Sequence, residues 1–529
     1  VRLKRLAPLL TTAGLIATAL PLLGATQASA APEPAYLKQK PAWSRCAEDQ
    51  PASFECATLK VPLDYRRPEG RTIDLAISRM KTGDGAKRHG VMLSNPGGPG
   101  GSGLHDPLMM NELMPKDVRD RYDLIGFDPR GVGESSPITC GLTPAEEAID
   151  RPYRPETYAA DVAWARTVAE KCREKSGDVI PYITTRNTAR DMDTIRAVLG
   201  ERKISYVGYS YGTYLGAVYT QMFPQRTDRF VLDSGVDPKR IWRGMIQVWA
   251  TEAEPAYERW TRWAAERSDQ YGLGATPKAV SETFWGLVER ADREPIDYFG
   301  TKLTGVDIRA ARAIFFYPSQ ASAIVQQIKA AAEGTLPPGG RAAPDLGKLF
   351  SAGRAADPQP VADNGTAVLW SVLCGDTGAW PRYTEQYARD AAKDKAKYPL
   401  YGDMASNIKP CAFWERPVES ATPMSKRADV LTVQNEWDSQ TPLTSGQGLH
   451  RALKGSRMVL AAGGEGHAVY LIDPASCVNP VVNGYLTTGR LPAQDVTCQS
   501  PPADPGRRLS RGPSKQVPFP AGPGRFLTP

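Results

Sequence analysis

The chain has 529 residues, 41% of them apolar, which is enough for a packed core and for more than one folded unit. Its formal net charge is +7, but a net three of those charges lie in residues 1–30 and a net four in residues 501–529, so the body is neutral. A neutral body has no electrostatic footprint for nucleic acid, and no nucleic-acid partner is expected.

Residues 1–30 read as a signal peptide. Arg2, Lys4 and Arg5 precede an apolar run from Leu6 to Leu23, and Ala28-Ser29-Ala30 is a small-x-small cleavage site. The run is near spanning length, so a membrane anchor is the alternative. Pro21 interrupts the run and no basic cluster follows it, which favours cleavage and a mature chain starting near Ala31. The expectation is a secreted protein with no membrane attachment after cleavage.

Short apolar runs predict strands at Leu59–Asp64, Ile73–Met80, Val91–Ser94, Tyr122–Phe127, Ile204–Tyr209 and Arg229–Asp233. Helical stretches lie between them, one from about Arg186 to Leu199 and one from just after Ser210 to Phe223, where Pro224 stops it. This alternation predicts an α/β fold with a mostly parallel sheet and flanking helices. The third strand runs into Asn95-Pro96-Gly97-Gly98-Pro99-Gly100-Gly101-Ser102-Gly103. A loop so rich in glycine lets backbone amides approach a ligand closely. It lacks the Gly-Lys-Ser/Thr ending of a phosphate cradle.

Ile204 to Gly212 carries the strongest chemical signal: a strand, then Gly208-x-Ser210-x-Gly212, then a helix. A strand-to-helix turn of this kind holds a serine hydroxyl exposed on a strained corner, and the flanking glycines avoid collision where strand and helix converge. Ser210 is the candidate nucleophile. The oxyanion would take one amide from Tyr211, the next residue, and one from the glycine loop at Gly98.

From about Val236 to Thr422 the pattern becomes mainly helical, with Trp249, Trp260, Trp263 and Trp285 among charged residues. Those aromatics read as the core of an inserted cap. Strand signals return at Val430–Val433 and Arg457–Ala461, separated by a helix over Thr441–Leu453. The expected organisation is residues 31–235 as the first part of the core, 236–422 as the cap, 423–500 as the second part of the core, and 501–529 as a Pro/Gly-rich basic tail.

The chain has four histidines, His89, His105, His450 and His467. His467 lies in a glycine-rich loop directly after the last predicted strand, where it would stand above Ser210, and is the candidate base. His105 follows the glycine loop and is its rival. Asp438, at the end of the strand-like run 429–437, is the candidate acid partner that would fix the imidazole tautomer. Glu436 is the alternative, and a helix N-cap is the competing role for Asp438. The order Ser, Asp, His is the order of a hydrolase elbow fold. Eight cysteines, none at CxxC spacing, argue for disulfides rather than a metal site. Of the many pairings open to them, the sequential one is expected: Cys46–Cys56, Cys140–Cys172, Cys374–Cys411 and Cys477–Cys498. No metal and no cofactor are expected.

Together these features resemble the prolyl and tripeptidyl aminopeptidase family of α/β-hydrolases. Gly97-Gly98-Pro99-Gly100-Gly101 matches its glycine motif, with Pro96 where the proline iminopeptidases have histidine. Gly126 to Ser135 matches its Asp-x-Arg-Gly-x-Gly-x-Ser loop. Gly208–Gly212 matches the elbow, and Asp438 with Thr441-Pro442 the acid loop. The resemblance covers most of residues 45–500 and is closest to the secreted bacterial tripeptidyl aminopeptidases. It implies an α/β-hydrolase fold and peptide or protein substrates with a free N-terminus, from which tripeptides are released; the chain is expected to be a monomer. Such an activity needs an anion for the substrate's ammonium group. Asp376 is the first candidate, with Glu252 and Glu254 behind it. An esterase or amidase, or a prolyl aminopeptidase, is the rival within enzymes; a binding protein on the same scaffold is the rival outside them.

Overall fold

A computed structural model describes residues 34–83, 85–336 and 361–501. The signal segment and most of the basic tail lie outside the described residues.

Ten strands form one sheet: β1 (Ser44–Arg45), β2 (Phe54–Pro62), β3 (Thr72–Met80), β4 (Gly90–Asn95), β5 (Tyr122–Phe127), β6 (Ile204–Tyr209), β7 (Thr227–Asp233), β10 (Leu431–Trp437), β11 (Arg457–Glu465) and β12 (Val496–Gln499). Their order is β1-β2-β3-β5-β4-β6-β7-β10-β11-β12. From β5 to β12 all neighbours are parallel, whereas β1, β2, β3 and β5 pair antiparallel. The mostly parallel sheet predicted from the alternation is therefore present. β4 and β6 are buried along their whole length because helices cover both faces, and near-continuous apolar runs follow from that. The β5–β4–β6 crossing places the ends of β4 and β6 side by side, with Asn95 in register with Gly208.

Between β7 and β10 the chain leaves this sheet. The described part of that excursion is helical apart from one short hairpin, β8 (Ile296–Tyr298) with β9 (Thr301–Leu303). Residues 253–332 pack a core of their own around Tyr257, Trp260, Phe284 and Phe315. Trp263 and Trp285 are half-buried against it. Residues 242–250 and, apart from Leu400, the buried apolar residues of 367–414 join the core on one face of the main sheet instead. The other face is filled by Met110, Tyr122, Val459, Tyr470 and their neighbours.

All four sequential disulfides are formed: Cys46–Cys56, Cys140–Cys172, Cys374–Cys411 and Cys477–Cys498. No cysteine among the described residues is free. No helix among the described residues is long and apolar enough to cross a membrane.

Candidate active site

The loops at the carboxyl ends of β4, β6, β10 and β11 converge. After β6 the chain turns at Ser210, with φ 55° and ψ −124°, and enters the helix Tyr211–Met222. A residue other than glycine holds positive φ only where its surroundings force it. Here the Ser210 amide donates to the Asp233 carbonyl at 3.0 Å and its own carbonyl accepts from Thr213. A Cβ on Gly208 would stand 2.5 Å from the Gly212 carbonyl oxygen, which is the collision the elbow glycines avoid.

Gly97 lies directly against this corner. Its φ is +101°, and a Cβ there would be 2.6 Å from the Tyr209 carbonyl, 2.9 Å from Ser210 Cβ and 3.2 Å from the Tyr211 amide nitrogen. Only glycine fits, so the loop backbone packs directly on the Ser210 corner. Asn95 Oδ1 accepts the Gly97 amide at 3.1 Å and holds the loop's start. Asp128, buried in the loop after β5, accepts from Ser102 Oγ at 2.6 Å and from the Gly103 and Leu104 amides at 3.2 Å, and holds its end. Among the described residues no hydrogen bond engages the amide of Gly98 or of Tyr211.

Asp438 follows β10 and is 0% exposed. Its Oδ1 accepts from the Gln440 and Thr441 amides, both at 2.9 Å, and lies 2.9 Å from His467 Nδ1; Oδ2 accepts from Thr441 Oγ1 at 3.0 Å and Gln434 Nε2 at 3.3 Å. Burial alone would raise this carboxyl. The imidazole of His467 and the Gln440 and Thr441 amides outweigh burial and hold it below the usual carboxylate range. The N-cap of the following helix, Leu443–Ala452, is Pro442, so Asp438 is not that helix's cap. Glu436 turns the other way and accepts the Gly463 amide.

His467 is 7% exposed and Ser210 6%. With Nδ1 committed to Asp438, Nε2 is buried and has no hydrogen-bond partner among the described residues. The other histidines are occupied elsewhere. His89 Nε2 pairs with Asp228 at 2.6 Å, His450 lies between Ser456 and Asp495, and His105 packs its ring against Phe54 at the start of the helix Asp106–Leu113.

One face of the helix Arg243–Ala265 covers these loops. Trp249 Nε1 donates to the Gln440 carbonyl at 2.7 Å, Glu252 accepts from Thr444 Oγ1 at 2.8 Å, and Arg259 pairs with Glu465 and lies over the Trp437 ring. Residues 249, 252 and 259 share a face at helical spacing. Arg312, 4% exposed, donates to the Ser439 carbonyl at 3.0 Å from between the rings of Trp249 and Tyr401. The helix Asn364–Gly375 closes over the glycine loop, with Asn364 bonded to Gly131, Gly133 and Ile138.

The three expected ammonium partners separate here. Asp376 is buried with three donors on it: the Thr185 amide at 2.8 Å, Thr185 Oγ1 at 2.5 Å and Trp242 Nε1 at 3.2 Å. Burial pushes its carboxyl up to about 6, against those donors. Thr185 Oγ1 also meets the Tyr211 hydroxyl at 2.8 Å, so Asp376, through Thr185, braces the residue after Ser210 from within. Glu254 is half-buried and accepts the Leu400 amide at 3.0 Å, away from the site loops. Glu252 alone is on the face that meets the acid loop and its helix. Asp233, Ser234, Asn364 and Arg312 were not singled out from sequence. Asp233 directly follows the apolar run Phe230–Leu232 of its strand, which is a signal; the others have none.

Among the described residues no group of three or more His, Cys, Asp or Glu side chains is placed to hold a metal ion. A family model described as alpha/beta hydrolase fold matches residues 90–271, and one described as TAP-like protein matches residues 398–498. The chain is 37% identical over 489 residues to a tripeptidyl aminopeptidase of Streptomyces lividans, covering 88% of this chain and 87% of that one. It is 30% identical over 524 residues to the serine protease Hip1 of Mycobacterium tuberculosis, covering 93% and 97%. A carboxylesterase B of the same organism is 29% identical over 518 residues, covering 92% and 95%.

Proposed function

This chain belongs to the tripeptidyl aminopeptidase family of α/β-hydrolases and is a serine peptidase, and from that premise we propose that it is exported and releases tripeptides from free N-termini through an acyl-enzyme on Ser210. The observation that carries the reading is the buried Asp438–His467 pair, whose other imidazole nitrogen has no hydrogen-bond partner among the described residues, on a loop that Asp233 ties to the Ser210 corner. Asp438 fixes the tautomer with the proton on Nδ1, so Nε2 is the basic nitrogen. It takes the Ser210 proton as the hydroxyl attacks the scissile carbonyl. The amides of Gly98 and Tyr211 receive the charge that develops on the carbonyl oxygen. His467 then returns the proton to the leaving amine, and water repeats the sequence on the acyl-enzyme. The four disulfides fit folding in an oxidising compartment.

The substrate's ammonium falls to Glu252. It shares a helix face with Trp249, which bonds the Gln440 carbonyl of the acid loop, and accepts a single hydrogen bond, from Thr444. An ammonium paired with a carboxylate in an enclosed site is worth a few kcal/mol when one partner is removed. Acetylating a tripeptide amide should lower kcat/KM by roughly 10²-fold. Glu252→Gln should weaken free-amine substrates while hardly changing blocked ones, and the double comparison separates the contact from general damage. Equal cleavage of blocked and free tripeptide amides would favour an esterase or amidase, the reading that the 29% identity to a carboxylesterase supports.

A further inference from the structure

His467 is flanked by two anchors. The chain before it is held by β10: Asn435 Nδ2 donates to the Gly466 carbonyl at 3.0 Å, and the Gly466 amide donates to the Trp437 carbonyl at 2.9 Å. The chain after it is held by the end of β7. The Ala468 amide donates to Ser234 Oγ at 2.9 Å. The Val469 amide donates to both Asp233 oxygens, at 3.2 and 3.0 Å, and the Tyr470 amide to Oδ2 at 2.7 Å. Ser234 Oγ donates to Asp233 Oδ1 at 3.1 Å and completes the shell. Three successive amides thus converge on one carboxylate–hydroxyl pair, an arrangement that suits an anion.

Asp233 is 0% exposed. Burial lifts its carboxyl to about 7, while the Tyr470 and Val469 amides favour the charged form. A buried acid is costly to keep unless its partners need it. The partners here are the backbone of the residues after His467, where Ala468 holds φ +70° and Leu471 φ +65°. Those conformations are unfavourable for side-chain-bearing residues and persist only when clamped. The main-chain carbonyl of the same Asp233 holds the Ser210 amide. One residue therefore ties the serine corner and the histidine loop together.

We propose that Asp233, with Ser234, is a positioning residue that sets where His467 stands relative to Ser210. It touches neither substrate nor the reacting atoms, and it is distinct from Asp438, which bonds the imidazole itself. The inference rests on reading His467 as the base.

The test uses Asp233→Asn and Ser234→Ala in the full-length enzyme, with a free tripeptide amide as substrate. An asparagine keeps one acceptor for the Val469 and Tyr470 amides but puts an N–H group where Oδ1 meets the Val469 amide and Ser234 Oγ, so the loop loses part of its anchor and shifts. A shift of about 1 Å in a catalytic group costs roughly 10²-fold, so kcat should fall by about that much with KM near wild type. Ser234→Ala removes the acceptor of one amide and should lower kcat about tenfold, again with KM held. It carries the test if Asp233→Asn fails to fold. In a His467→Ala background Ser234→Ala should change the residual rate by less than about twofold, because the group being positioned is gone. Wild-type kcat in Ser234→Ala, or an equal further loss in the His467→Ala background, would overturn the proposal. His467→Ala retaining a tenth of wild-type activity would instead remove the reading on which it rests.

Discussion

Ser210 stands at positive φ because the elbow geometry holds it there, not because its side chain prefers it. Replacing the hydroxyl should therefore leave the corner in place. Ser210→Ala is expected to lower kcat on the order of 10³-fold or more while its melting temperature stays within a few degrees of wild type, measured on a tripeptide amide and by thermal unfolding. Asp438 gives the pH dependence at this scale. Its carboxyl lies below the usual carboxylate range in the folded chain. The unfolded chain therefore binds its proton first as pH falls, and the stability that Asp438 contributes is full above the unfolded value and lost as pH drops through the folded one. Acidification from about pH 5 to about pH 3 should cost wild type more stability than Asp438→Asn, read as the shift in denaturant midpoint. The elbow at Ser210 and the candidate pair Asp438 and His467 were legible in the chain because each sits near a strand end with a distinctive neighbourhood, and the structure joins that pair by a hydrogen bond. The three carboxylates proposed for the substrate amine were not separable, since Asp376, Glu252 and Glu254 differ only in what folds against them.

At the scale of elements, the glycine loop and the helix Asn364–Gly375 meet without side chains between them. Gly100 has φ +103°, and a Cβ there would lie 2.6 Å from the Gly365 carbonyl oxygen. Gly100→Ala must strain its own backbone and push the helix away, at about 2–5 kcal/mol in stability. It should also raise KM, since the helix covers the site; equilibrium unfolding and steady-state kinetics check the two effects. Element prediction succeeded where periodicity was local. Tyr122–Phe127 and Ile204–Tyr209 have the predicted bounds, and the predicted helix over 186–199 is observed at Thr185–Val198. β11 was expected to stop at Ala461 because Gly463 and Gly464 follow, yet it runs to Glu465. Its extension comes from long-range pairing, Ala462 with Gln499 and Glu465 with Trp437, which no local window contains. The two-residue β1 and four-residue β12 are too short to carry a period.

For the whole molecule, the inserted residues do not pack as one block. Part of the insertion has its own core and part completes the core of the main sheet, so the cover over the site is tied to the sheet by burial as well as by hydrogen bonds. The Cys374–Cys411 bridge, with a sequence separation of 37, reinforces that tie two residues before Asp376. Replacing both cysteines by serine should cost about 2–4 kcal/mol in stability. It should also lower kcat, because Asp376 braces Thr185 and Tyr211. The same replacement at Cys46–Cys56, at the sheet's β1–β2 edge, should cost stability of similar order and leave kcat unchanged. Melting temperatures and kinetics of the two double variants distinguish these outcomes.

The sequence alone determined the sheet's character and the elbow, and it carried the expected disulfide pairing, which the fold then formed. Each of these rests on neighbours in the chain: apolar runs, glycines flanking one serine, cysteines that close short loops. Only the tertiary structure separated the surroundings of the three carboxylates. Asp376 is bonded by Thr185, 191 residues away, and by Trp242, 134 residues away, whereas Glu252 is bonded by Thr444, on the helix that follows the Asp438 loop. It also brought out Asp233, whose partners at 469 and 470 lie more than 230 residues along the chain. Burial and hydrogen-bond satisfaction are properties of the assembled neighbourhood, and a carboxylate's chemistry follows from them rather than from its position in the sequence.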